Sequence, residues 1–182
     1  MLTSNSKLKK SGIYGFGLTP GITCVGCRVN CYALKDIYSC MAKTMVAHWD
    51  RNLVAAQSAD FNFDMSYEIV KTGAQYVRIH PEGDFFSQEY FDKWCSLARS
   101  FPDVMFYAYT KALHLDFSAA PANFKIVQSI GGEYDHLIDY NKPHARIFAT
   151  TAELNAAGYA AAYDDDIVAA DPSTIKIGLL AH

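Results

Sequence analysis

The sequence lacks most of the features that announce a function. No apolar run is long enough to span a bilayer, and the N-terminus lacks the apolar stretch that leads an exported chain. Both absences predict a cytoplasmic protein with no membrane partner. There is no Gly-x4-Gly-Lys phosphate loop, no nucleophile elbow and no dinucleotide fingerprint, and Gly15 with Gly17 is too little to count as one. No repeat, low-complexity tract or Pro/Gly/Ser linker divides the 182 residues, so one domain is expected. Charge of one sign is also scarce. A net charge of −3 gives no global basic field, which argues against sequence-independent grip on nucleic acid. A local patch for a nucleic-acid or protein partner stays open. Lys7, Lys9 and Lys10 form a small basic cluster, read here as part of a flexible tail over residues 1–11.

Cysteine is sparse as well, at five residues, and an odd count with three crowded together does not make a disulfide framework. In a reducing compartment that crowding reads as metal ligation. Cys24-Val-Gly-Cys27-Arg-Val-Asn-Cys31 places three thiols where a loop made supple by Gly21 and Gly26 can wrap them around one centre. Structural zinc usually takes four ligands, often as two separated Cys pairs, and no second pair follows. Three thiolates suit a 4Fe–4S cluster with one iron left open for chemistry. Two other readings remain. Cys40 could complete a four-thiolate zinc site, or the cysteines could be small buried hydrophobes. Cys95 sits on an amphipathic helix and is expected in the core.

Half of the residues are apolar, enough for a sizeable core. Apolar spacing predicts helices over about 41–58 (inner face Met45, Trp49, Leu53, Ala56) and 61–72, the latter stopped by Gly73. Another is predicted over 88–100, capped by Ser87, and a short one over 151–157. Strands are predicted over 75–80, 104–110, 124–130, 146–150 and 175–180, with an extended segment within 12–21. Strands separated by helices or long connections imply an α/β fold, a partial (β/α) barrel or a mostly parallel sheet with helical crossovers. Ligands would then gather at the C-terminal strand ends.

Several chemistry-bearing residues stand at those ends. Tyr107, Tyr109 and Lys111 share one face of their strand, with Thr110 on the other. Tyr109 and Lys111 are candidate catalytic residues on the substrate side. Ser129, Gly131 and Gly132 end the next strand, where glycines let a cofactor approach the backbone. His80, Glu82 and Asp84 alternate, but Pro81 and Gly83 break the regularity that would make them a metal site, and His80 reads as structural. Asp84 could instead cap the following helix. Asp135, His136 and Asp139 form a weak acid–histidine cluster, and Asp164 to Asp166 read as a solvated acidic loop.

The stretches Cys31-Tyr-Ala-Leu-Lys, Val77-Arg-Ile-His-Pro-Glu-Gly-Asp-Phe-Phe-Ser87, Phe106-Tyr-Ala-Tyr-Thr-Lys111 and Ser129-Ile-Gly-Gly132 resemble the bacteriophage "gene product 88" family, and the likeness runs in order from about Gly15 to Leu180. That family in turn resembles radical S-adenosylmethionine enzymes. The resemblance implies an iron–sulfur fold of phage origin, with S-adenosylmethionine as a second cofactor and an unknown substrate. It also implies a role for the turn Glu82-Gly83-Asp84, since a Gly-Gly-Glu-like turn after the second strand holds the cofactor's amino group in such folds. The chain departs from the common radical-enzyme pattern, Cys-x3-Cys-x2-Cys, by reversing the two spacings. Three functions follow as expectations: a radical S-adenosylmethionine-like enzyme, a non-catalytic iron–sulfur module acting on host or phage macromolecules, and a zinc-stabilised structural protein.

Overall fold

A computed structural model describes residues 1–27, 42–163 and 166–181. It is an α/β fold. Seven strands, all parallel, form one sheet curled as a half-barrel with helical crossovers. In chain order the elements are α1 (Ser6–Lys10), β1 (Ile13–Phe16), α2 (Ala42–Gln57), α3 (Phe61–Thr72) and β2 (Tyr76–Ile79). Then come α4 (Gln88–Ser100), β3 (Met105–Thr110), β4 (Phe124–Ser129), a 3-10 turn (Asp135–Leu137) and β5 (His144–Phe148). The chain closes with α5 (Thr151–Ala156), β6 (Ala160–Ala161), α6 (Ile167–Ala170) and β7 (Lys176–Leu180). Across the sheet the order is β1-β2-β3-β4-β5-β7-β6.

Both faces of the sheet are covered, as a parallel sheet requires. Alternation sends Phe106 and Ala108 of β3 to one face and Tyr107 and Tyr109 to the other. On the first face α3 and α4 lay Phe61, Met65, Tyr90, Phe91 and Trp94 against Phe16, Val77, Ile79, Phe106 and Phe124. Trp94 meets Phe16 and Phe61 edge to face, with ring centroids 5.3 and 5.2 Å apart. On the concave face Ile13, Tyr107, Val127, Ala145 and Ile177 pack with Ala169 and Ala170 of α6.

Helix ends follow local chemistry. Gly73 stops α3 in the left-handed conformation that costs a Cβ-free residue least (φ 63°). Ser87 caps α4, its hydroxyl accepting from the Tyr90 N–H at 3.2 Å. Ser87→Ala should therefore cost about 1 kcal/mol of stability, read by urea denaturation.

Three expectations shift. Residues 1–11 pack onto β1 rather than trailing as a tail. Thr3 and Gly15 exchange backbone hydrogen bonds of 2.9 and 2.7 Å, Asn5 caps α1, and the Met1 amine pairs with Glu68 at 2.7 Å. Met45 is exposed, and the inner face of α2 is Trp49, Asn52 and Ala56, with Leu53 half-buried against the core. Asn52 is drawn inward because its amide donates to the Gly17 carbonyl at 2.9 Å. β5 begins at His144, two residues earlier than expected. Among the described residues no helix is long and apolar enough to cross a membrane.

Candidate functional site

A cavity of about 440 Å³ opens at the C-terminal ends of the strands. Its wall includes Cys24 and Cys27, the turn Glu82-Gly83-Asp84, Tyr109, Lys111, Ser129 and Gly131. Residues chosen for their positions along the sequence thus share one chamber. Gly132 is not on its wall. Cys31 and Cys40 lie outside the described residues, as do Asp164 and Asp165. Among the described residues no group of three or more His, Cys, Asp or Glu side chains is assembled for a metal.

The cysteine loop is clamped at both ends. Leu18 donates to the Glu82 carbonyl at 2.8 Å, tying the loop's start to the turn after β2. Gly83 takes a positive φ of 87° and would press a Cβ onto Leu18 and Thr23 at 2.7–2.8 Å. At the other end the Gly26 carbonyl accepts from the Glu133 N–H at 2.9 Å. A Cβ on Gly132 would come within 2.9 Å of that carbonyl oxygen. Cys24 and Cys27 flank a tight turn in which the Cys27 N–H reaches the Cys24 carbonyl at 3.3 Å. Both thiols are half-buried. Cys95, by contrast, sits on the buried face of α4, and burial pushes its thiol up to about 11.

Asp84 is buried and spent on the fold. Its Oδ1 accepts from the Phe85 N–H at 2.8 Å and the Thr110 hydroxyl at 2.6 Å, and its Oδ2 from the Lys111 N–H at 2.8 Å. Burial raises its carboxyl above the ordinary carboxylate range. It locks the end of β2 to the end of β3, while Ser87 caps the helix. The amides of Gly131 and Gly132 are likewise taken, donating to the Asp135 carboxylate at 2.8–3.1 Å. The amide donors of the glycine turn are therefore held by its own chain, while Gly131 still borders the cavity. His80 is 3% exposed and has a positive φ of 60°. Its Nε2 lies 3.0 Å from the Tyr90 hydroxyl, and burial lowers it to about 3.

Two residues of the cavity wall, Arg78 and Tyr109, meet a carboxylate that the sequence hid. Asp166 was expected in a solvated acidic loop, yet it is 4% exposed. The hydroxyls of Tyr107 and Tyr109 donate to its carboxylate at 3.0 and 2.9 Å, and Arg78 pairs with it at 3.2 Å. A carboxylate buried among three donors is stable where an isolated one would not be. The Tyr109 hydroxyl is thereby engaged, and burial together with the Asp166 charge keeps its proton tightly held. Arg78 shares the concave face with Tyr76, two residues away, and strand alternation was the signal that could have found it. Nothing in the sequence pointed to Asp166, because its partners lie far along the chain. A second cavity of about 500 Å³ lies along Leu115, Phe117, Ile126 and Leu137, and carries neither thiols nor the strand-end residues.

A family model described as "Gene product 88" matches residues 1–180. The "Gene 88 protein" of Mycobacterium phage D29 is 29% identical over 133 residues, covering 59% of this chain and 54% of the relative. The "Gene 88 protein" of Mycobacterium phage L5 is 29% identical over 125 residues, covering 56% of this chain and 52% of the relative. The chain thus spans about half the length of these relatives. No solved structure matches it.

Proposed function

This chain belongs to the Gene product 88 family, and on that premise we propose that it is an iron–sulfur enzyme resembling the radical S-adenosylmethionine type. One observation carries the reading: Cys24, Cys27 and the turn Glu82-Gly83-Asp84 face one cavity at the C-terminal ends of a parallel half-barrel. The residues present fit a cluster. The donors are soft thiols, half-buried, on a glycine loop held against the strand ends. Cys24, Cys27 and Cys31 would hold a 4Fe–4S cluster. When bound, such a group supplies a one-electron reductant and an open coordination position.

The chain's own residues do the rest. Glu82 faces the cavity and is the carboxylate of the turn that would take a cofactor ammonium group. Asp84 acts indirectly, fixing the turn against β3. Tyr109 offers its ring as a wall, held by Asp166, and Lys111 supplies positive charge to the substrate side. A second reading, a non-catalytic iron–sulfur module, draws on the self-closure of the Gly131–Gly132 amides and of Asp84, which leaves fewer groups for a cofactor.

Anaerobic purification with iron and sulfide assays, then EPR of the reduced protein with and without S-adenosylmethionine, tests both readings. About four irons per chain and a spectrum perturbed by S-adenosylmethionine are expected. A cluster indifferent to it would favour the module, and zinc without iron would overturn both.

A further inference from the structure

Lys111 lines the cavity beside the thiols, yet no carboxylate pairs with it among the described residues. Its ammonium donates to the Ser129 hydroxyl oxygen at 2.8 Å and the Ile130 carbonyl at 3.2 Å, both neutral acceptors. An ammonium has three protons, so one donor is left over. Ser129 accepts from Lys111, which leaves the serine's own proton to give elsewhere.

Glu82 lines the same cavity but forms no ion pair with Lys111, and two other acidic groups nearby are committed elsewhere. Asp84 feels the Lys111 charge, but its oxygens hold Phe85, Thr110 and the Lys111 backbone. Asp135 is turned onto the glycine amides. Of the other cations on the cavity wall, Arg78 is matched by Asp166, and Arg146 is exposed and lies over the Phe148 ring. Ile147 and Leu179, from the paired strands β5 and β7, add an apolar wall, and Ile147 is exposed although its alternation partner Ala145 is buried. A half-buried ammonium that no carboxylate pairs with directly among the described residues, flanked by a hydroxyl donor and facing an apolar wall, is a receptor for an amphiphilic anion.

The geometry points to Lys111 and Ser129 as the binding site for an anionic oxygen group, a carboxylate or a phosphate, on a substrate whose apolar part lies along Ile147 and Leu179. The inference rests on reading this cavity as the substrate chamber and names the substrate's chemical class. The test is isothermal titration of the purified full chain at low ionic strength, with phenyl phosphate, phenylacetate and uncharged benzyl alcohol as probes. At least one anion binds and benzyl alcohol does not. Preference between the anions identifies phosphate or carboxylate as the source. Lys111→Met weakens binding roughly tenfold, Ser129→Ala by less, and Lys111→Arg retains it. Lys142→Met, at an exposed lysine away from this cavity, leaves it unchanged. Equal affinity in wild type and Lys111→Met, or no binding of either anion, would overturn the proposal. Iron content measured on the same samples reports the cluster separately, so a chain that keeps its iron but binds neither anion fails only here.

Discussion

Gly26→Ala is expected to destabilise the protein by about 3 kcal/mol and, on the iron–sulfur reading proposed above, to lower its iron content. A Cβ at this position would lie 2.2 Å from the Lys111 carbonyl oxygen and 2.8 Å from the carbonyl carbon. Both atoms are backbone, so no flexible side chain can swing aside. The neighbour that must move ends β3, and it is fixed by the Lys111 N–H on Asp84. The loop that must move is fixed by the Gly26 carbonyl on the Glu133 N–H. Either shift breaks a hydrogen bond and changes where Cys24 and Cys27 point. Gly73→Ala is the comparison, since that glycine has open space around it and ends α3, away from the cavity wall. Its cost is the left-handed backbone alone, about 1 kcal/mol, with iron retained. Urea denaturation reads the stability and a colorimetric assay reads the iron. A Gly26→Ala protein as stable as wild type would show that the loop is not clamped, while a destabilised one with full iron would detach the cluster from these two thiols.

The same clamp explains how far the site could be read from sequence. Parallel strands point their C-terminal ends the same way, so any residue just past a strand faces a common rim. Lys111, Ser129 and Glu82 could be gathered on that argument alone, with no knowledge of the register. α3 and α4 were legible to the residue because their limits are set locally, by Gly73 in one case and Ser87 in the other. β6 was not legible: two alanines carry no alternation. Asp166 was misread for a related reason. A run of three aspartates looks like a solvated loop, and what buries the last of them is a pair of tyrosines 59 and 57 residues earlier. Local pattern has no access to such a partner. Asp84 shows the converse case. Its place in the turn was clear, but whether its oxygens would face a ligand or the fold depended on Thr110 and Lys111, two residues across the sheet.

Acid should destabilise the protein through His80, and His80→Asn should remove about 2–3 kcal/mol of that loss between pH 7 and pH 4.5. The ring is buried against Phe85, 4.7 Å between centroids, and beside Tyr90. Its Nδ1 is buried without a hydrogen-bond partner. Charging it there has no compensation, and burial lowers it to about 3 from an ordinary value of 6.5. Between those values the unfolded chain binds a proton that the native chain refuses. Stability therefore falls as pH falls, by about 1.4 kcal/mol per unit below 6.5. Asp84 works in the opposite sense. Burial raises its pKa, so the native state takes up its proton before the unfolded chain does, and its contribution grows as pH falls. The wild-type acid limb is the sum of the two, and the difference between wild type and His80→Asn isolates the histidine. Asparagine is the right replacement because the backbone at 80 has a positive φ of 60°, which asparagine tolerates better than other residues with a side chain. The variant loses ring packing and is less stable at pH 7, so the quantity to compare is the change in unfolding free energy with pH, not its value at one pH. Urea denaturation at half-unit intervals provides it. An identical pH slope in the two proteins would mean that His80 is not held neutral, and that its charge finds a partner when the proton arrives.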